Sequence, residues 1–253
     1  MSADDVPPTP APVGPPLVAV AFCPHPPMLL PAVAGGAAGE TTRLRLDCAE
    51  ALQTVLTLGP DVVLVVGDGP PGVRYGPGDA GDLAGYGLPR RVPFSGRVRP
   101  GGRRLPLAHT VGAWLLDEAG HDGIRLGVAP GDLATVLTEL PGPVAVLAMG
   151  DGSARRTEKA PGHLDPAAGP FDAAVAAALA AGDASALAAL DEAEGARLLA
   201  AGVPTWRAVG AAVDGCELTA RLRHDDAPHG VGWLVADWVV ARTPDRLPGW
   251  LTR

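Results

Sequence analysis

The stretch Pro143–Gly152, PVAVLAMGDG, decides the fold class, because it joins a continuous apolar run to an aspartate between two glycines. A short, unbroken, valine-rich run is typical of a strand covered on both faces, as in a parallel sheet. Three other stretches share this design, namely Leu17 to Phe22, Asp61 to Gly69 and Ile124 to Pro130. Each of the four is therefore predicted to be a buried strand.

Helix-like segments lie between these strands, at about 40–58 and 109–119, and their apolar residues recur at intervals of three and four. Buried strands that alternate with amphipathic helices predict an α/β fold with a central, mostly parallel sheet and helices on both faces, a three-layer sandwich. The alanine-rich segment 170–201 is expected to form two helices, broken at Gly182, with Asp183 or Ser185 as the cap of the second.

The C-terminal part predicts one more short helix at 205–215, followed by two strands. The strands CELTARLRH and VGWLVADWVVA are joined by HDDAPHG, which is expected to be a loop. Such a pair would add antiparallel strands near the C-terminus and close the sheet.

The chain of 253 residues, 47% of them hydrophobic, is long enough for one large α/β domain, which we place at residues 17–253. Residues 1–16 contain six prolines and no periodic apolar pattern, so a disordered tail is expected there. The segment 69–102 is so rich in glycine and proline that it should be mostly loop, and loops of this length are usually functional or mobile.

Composition excludes several classes of partner. The net charge is −8 and the arginine pairs are scattered, which argues against nucleic-acid binding. Three widely spaced cysteines without a CxxC pair give no disulfide framework and no thiolate zinc site. Neither a signal peptide nor an apolar span of bilayer length is present, so we expect a cytoplasmic protein without a membrane partner.

Polar residues follow three of the predicted strands, in CPHPP, GDGPP and GDGSARR. Since ligands of open α/β sheets bind at the carboxyl ends of parallel strands, these loops should meet at one crevice. His25 stands between prolines that fix its backbone, which suits a metal ligand, although a merely stiff loop would look the same. Asp68 and Asp151 could be metal ligands or general bases, and aspartate between glycines is equally common in tight turns.

The HDDAPH stretch gathers two imidazoles and two carboxylates that could hold zinc, iron or manganese, or could simply form a solvated hairpin loop. Ser153 lacks the GxSxG context of a nucleophile and is expected, with Phe94, to face the substrate crevice. His109 and His121 flank a helix and are expected at the surface or as caps.

Four stretches, in this order, resemble the class III extradiol ring-cleavage dioxygenase family, the superfamily of the protocatechuate 4,5-dioxygenase catalytic subunit and the Memo-type proteins. CPHPPMLLPAVAG is similar to the family's His-Pro-Pro loop, and GDLAGYGLP to its GDFAxFGxP. The stretch from MGDGSARR to PFDAAVAAALAAGD is similar to its SGDLSHxLT…FD block, and DDAPHGVGWLVA to its YEAPYGVGYLVA.

The resemblance implies a non-haem iron(II) held by two histidines and a glutamate, where a catechol meets dioxygen while a further histidine transfers protons. The first iron histidine corresponds to His25 and the glutamate to Asp226. The second iron histidine falls on Gly69 and the proton-transfer histidine on Ala154, so both are absent. We therefore expect a ligand-binding or regulatory protein without ring-cleavage activity.

Two alternatives remain open. An altered site could support a dioxygenase acting on a phenolic compound or a metal-dependent hydrolase, with His25, Asp68, Asp226 and His229 as ligands and Asp151 or His163 in catalysis. A carboxylate-rich set would favour manganese or magnesium over iron(II), and the chain could also hold no metal. A protein-interaction scaffold is the third possibility. By resemblance, a small aromatic ligand and a homodimer are expected.

Overall fold

The computed structural model of the protein describes residues 17–241, and within them eight strands are present. These are β1 (Leu17–Cys23), β2 (Val62–Val66), β3 (Ala80–Asp82), β4 (Arg91–Pro93), β5 (Ile124–Val128), β6 (Val144–Met149), β7 (Leu218–Asp226) and β8 (Trp233–Val240). The expected tail at 1–16 and the last residues of the predicted domain, 242–253, lie outside the described residues.

Eight α-helices lie in the same described range. They are α1 (Pro31–Ala34), α2 (Thr42–Leu56), α3 (Leu107–Glu118), α4 (Leu133–Glu139), α5 (Ala168–Ala181), α6 (Ala184–Ala188), α7 (Glu192–Arg197) and α8 (Val203–Ala212). No helix within residues 17–241 has the length and apolar character needed to cross a membrane.

The central sheet has six strands in the order β5-β2-β6-β1-β8-β7, and β3 pairs with β4 separately. The four strands of the valine-rich design run parallel: β1 pairs with β6, which pairs with β2, which pairs with β5. The C-terminal strands complete the sheet, since β8 runs antiparallel to β1 and β7 antiparallel to β8. The predicted mixed α/β sandwich with an antiparallel C-terminal pair is thus confirmed.

The sheet divides the apolar interior into two layers, because successive side chains of a strand point to opposite faces. On one face Phe22 and Leu64 pack with helices α4, α5, α6 and α8. On the other face Ala21 and Val65 pack with α2 and α3. Both faces of the parallel strands are therefore covered, which explains why their sequences are continuously apolar instead of alternating.

The boundaries of the later elements differ partly from the prediction. Gly182, at φ +68°, ends α5, and the Asp183 side chain accepts from the Ala186 amide to cap α6, as the sequence indicated. A further short helix, α7, follows within the region where only two helices were expected. The expected HDDAPHG loop begins later, because His224, Asp225 and Asp226 pair with β8 as the end of β7. Segment 69–102 is mostly irregular, with the short β3–β4 hairpin inside it.

Candidate functional site

Two neighbouring strand ends bring His25 and Asp151 together. Strands β1 and β6 are paired, and Gly150 N donates to Cys23 O at 3.0 Å just beyond them. The backbone amide of His25 then donates to Asp151 Oδ1 at 2.8 Å, while its Nε2 lies 3.7 Å from Asp151 Oδ2. Only 11% and 16% of the two side chains are exposed. Two predicted site residues thus form one partly buried pair.

The loop that carries Asp151 is fixed by Ser153. The Ser153 amide donates to Asp172 Oδ1 at 2.8 Å, and its hydroxyl donates to Leu198 O at 3.1 Å and accepts from Arg155 N at 3.1 Å. Ser153 is fully buried. The prediction that it faces a substrate crevice is therefore wrong, because each of its polar groups is used to hold the loop.

Asp172, on α5, organises this loop and was not among the residues predicted from the sequence. Its Oδ2 accepts from Arg156 Nη1 at 3.0 Å, and burial raises its pKa although the Ser153 amide and Arg156 oppose that effect. A Cβ at Gly152 would stand 2.9 Å from Asp172 Oδ1 and one at Gly232 2.5 Å from Oδ2. In the sequence, the only indication of its role was that Asp172 is the aspartate of the Phe-Asp pair in the stretch that resembles the family's SGDLSHxLT…FD block.

An open pocket of about 460 Å³ lies beside the His25–Asp151 pair. Its polar side chains are Asp151 and His229, its aromatic ones Tyr86 and Trp233, and two prolines, Met28 and two valines make up the remaining wall. Trp233 begins β8 and is buried, while Tyr86 is 43% exposed at the mouth. The pocket is thus an apolar cleft with one carboxylate.

His229 connects this pocket with the surface. Its ring lies 5.5 Å from that of Trp233, and its Nε2 stands 3.3 Å from Glu40 Oε2. Because both partners are substantially exposed, this pair contributes little to stability. His229 is therefore a pocket residue by position, with a second carboxylate next to it.

A second imidazole occupies the neighbouring part of the sheet edge, where β2 and β5 end. His109 on α3 is fully buried, its Nε2 lies 3.2 Å from Val128 O and its ring 4.8 Å from that of Tyr75. Because a carbonyl only accepts, we assign the ring proton to Nε2. Burial lowers the pKa of His109 from 6.5 to about 4, although the Val128 carbonyl and nearby Asp68 oppose that effect.

The expectation that His109 lies at the surface is therefore wrong. It was drawn from the position of His109 at the start of a helix, but α3 begins at Leu107 and turns this residue toward the sheet. A Cβ at Gly69 would stand 3.6 Å from His109 Cε1 and 3.8 Å from Tyr75 Cε2. The rings of His109 and Tyr75 therefore line the space in front of Gly69, at ordinary contact distance from a Cβ there.

Phe94 belongs to the same filled region. It is fully buried, and a Cβ at Gly127 would stand 3.1 Å from its Cζ. The prediction of an apolar rim at Phe94 is wrong, because this side chain has no exposed surface with which to line a crevice. Asp68, by contrast, is exposed at the end of β2.

The other predicted ligands lie apart from one another. Asp226 is exposed at the end of β7, where its Oδ1 accepts from Ala227 N, and exposed His163 places Nδ1 3.3 Å from Glu158 O. His224 turns to α2, with Nδ1 2.9 Å from Asp47 Oδ2. Among residues 17–241 no three His, Cys, Asp or Glu side chains are grouped as metal ligands. The residues present therefore do not fit the iron site that the resemblance implies.

No family model matches the chain, and no curated protein matches it. Solved structures do match, and one of them is an uncharacterized protein from Escherichia coli K12. The two chains are 13% identical, the alignment covers 88% of this chain and 99% of that one, and the TM-score is 0.45.

Proposed function

We propose that the protein is a divergent member of the class III extradiol dioxygenase family that binds a small organic molecule in its crevice and does not cleave aromatic rings. The proposal depends on the two substituted positions, Gly69 and Ala154, because neither residue has a side chain that could bind iron or transfer a proton. Proton transfer alone typically contributes about 10²- to 10⁴-fold in rate.

The observation that carries this proposal is the packing of His109 and Tyr75 next to Gly69. If the site had only lost one ligand, the space of the missing imidazole would be open to a substitute. Here His109 and Tyr75 line that space, and the Nε2 of His109 lies 3.2 Å from the Val128 carbonyl oxygen. Burial lowers the pKa of this imidazole to about 4, so the ring is neutral near pH 7.

The pocket beside Asp151 supports the binding half of the proposal. Its volume of about 460 Å³ lies within the range of about 300 to 1,000 Å³ that is usual for small-molecule pockets. Like such pockets, it combines a mostly apolar wall with a few polar groups, here Asp151 and His229. The crevice can therefore bind a ligand even though the implied iron ligands do not converge.

The test is anaerobic reconstitution with iron(II), followed by addition of catechol or protocatechuate and then of oxygen. We expect no oxygen uptake above a protein-free control, and metal analysis of untreated protein should give far less than one iron per chain. The matched control is His25→Ala. Stoichiometric iron that is lost in His25→Ala, together with substrate-dependent oxygen uptake, would overturn the proposal in favour of an enzyme with an altered metal site.

A further inference from the structure

The pocket lining has an unbalanced charge. Asp151 is a carboxylate, and no lysine or arginine is among the residues that line the described pocket. A further carboxylate, Glu40, lies 3.3 Å from the Nε2 of His229, which lines the pocket. A pocket with one carboxylate and an apolar wall attracts cations and repels anions, and it does so more strongly where water is partly excluded.

We propose that this pocket binds an organic cation, a primary or substituted ammonium group on an apolar body, with Asp151 as its counter-ion. The inference deepens the proposed function and rests on it, because it requires the pocket to be a ligand site. The charge and the aromatic side chains of the pocket wall indicate this ligand class, and binding of the cation requires no metal.

The geometry of Asp151 fits this role. One oxygen, Oδ1, is held by the backbone amide of His25 at 2.8 Å, so the carboxylate has a fixed position. The other oxygen, Oδ2, is 3.7 Å from His25 Nε2, which is longer than a hydrogen bond. Oδ2 can therefore still accept from a ligand N–H. His25 is the basic group that faces this carboxylate, and when it is protonated it would compete with the ligand.

The wall of the pocket supplies the second element of cation recognition. Trp233 and Tyr86 both line it, and ammonium groups are attracted to the faces of tryptophan and tyrosine within about 6 Å of the ring centre. Met28 adds a polarizable side chain that adapts to the apolar body of a ligand. Carboxylate and aromatic groups together favour an ammonium over a neutral molecule of the same shape.

The test compares three probes that share a phenyl group and carry a cationic, a neutral and an anionic polar end: phenethylamine, 2-phenylethanol and phenylacetate. Calorimetric titration near neutral pH should show that phenethylamine binds at least about 10-fold more tightly than the other two. Asp151→Asn, which keeps an oxygen for the His25 amide, should lose about 10-fold in affinity for phenethylamine and bind 2-phenylethanol as before. Tyr86→Leu should weaken phenethylamine by a smaller factor.

The matched control is Glu158→Gln, which removes an exposed carboxylate outside the pocket lining and should leave all three affinities unchanged. Unfolding midpoints of the variants show whether each is folded. If phenylacetate or 2-phenylethanol binds as tightly as phenethylamine, or if folded Asp151→Asn binds phenethylamine like the wild type, the cation inference is overturned while the proposed binding function stands. If none of the three probes binds, both fail.

Discussion

The carboxyl edge of the sheet has two halves with opposite properties. At the ends of β2 and β5 the space is filled by His109, Tyr75 and Phe94, all of them buried. At the ends of β1 and β6 the His25–Asp151 pair borders an open pocket. The rule that ligands bind at this edge of an open α/β sheet gives the location only. Whether a strand end is a site depends on what the neighbouring loop and helix place in front of it.

The two imidazoles at this edge show the consequence for chemistry. His109 is enclosed by α3 and segment 69–102, so burial lowers its pKa to about 4 and keeps the ring neutral. His25 sits beside a carboxylate at the wall of the open half. The two histidines at this edge therefore differ in environment, since His109 on α3 is enclosed and His25 forms a polar pair with Asp151.

The largest expected contrast concerns aromatic residues of the two halves. Phe94→Ala should lower the free energy of unfolding by about 3 to 5 kcal/mol, because it leaves a cavity in the filled half. Tyr86→Ala, at the exposed mouth of the pocket, should cost less than about 1 kcal/mol. Urea denaturation of both variants gives the values. Equal losses would show that the two halves are not packed differently.

The pH dependence of stability tests the burial of His109. Its folded pKa is below the unfolded value of 6.5, so the unfolded chain binds the proton more readily and stability falls as the pH falls from about 6.5 to about 4. At about 1.4 kcal/mol per pH unit, the loss should approach about 3 kcal/mol.

His109→Gln is the control for this prediction, because glutamine can still donate to the Val128 carbonyl and does not titrate. As the pH falls, the variant should become more stable relative to the wild type. The contributions of the other titrating groups are the same in both proteins and cancel in this difference. A difference that does not change with pH would mean that His109 is not enclosed.

Two glycines near the end of β2 provide a matched pair of smaller effects. A Cβ at Gly67 would stand 2.6 Å from the Cβ of Ala108, which cannot move without a shift of the α3 backbone. Gly67→Ala should therefore lower the free energy of unfolding by about 1 to 3 kcal/mol. At Gly69 the nearest atom is 3.6 Å away, which is an ordinary contact, so Gly69→Ala should change stability by less than about 0.5 kcal/mol. Thermal denaturation of both variants would decide. A large loss in Gly69→Ala would contradict the described packing of His109.

The smallest effect is expected at the mouth of the pocket. Glu40→Gln removes the exposed partner of His229 and should cost less than about 0.5 kcal/mol, because solvent screens the pair. The difference in stability between this variant and the wild type should change very little between low and high salt. A loss above about 1 kcal/mol would show that the Glu40–His229 pair is not screened by solvent and that the mouth of the pocket is packed.

Much of the fold could be predicted from local patterns. Four valine-rich runs gave the parallel strands, and Gly182 with Asp183 marked a helix boundary that has a capping hydrogen bond. The boundary of β7 could not be predicted, because His224, Asp225 and Asp226 are polar residues typical of a loop. Their strand pairing depends on β8, which lies at the next position in the sheet.

The candidate site was predictable only in part. His25 and Asp151 each follow a buried strand, and the adjacency of β1 and β6 brings them together. Ser153 and Phe94 were placed on the wrong side of their loops, because sequence does not state which way a side chain points in an irregular segment. Asp172 was missed because the groups it holds, Ser153 N and Arg156, lie 16 or more residues away.

The sequence by itself determined the layered α/β architecture, because apolar periodicity and continuity depend on which faces each element must bury. It also determined that Gly69 and Ala154 have no side chain for metal binding or proton transfer. Only the tertiary structure decided that buried His109 lies next to Gly69 while an open pocket lies beside Asp151. The physical reason is that packing in this region joins residues of distant segments, and a contact of that kind leaves no periodic pattern in the chain.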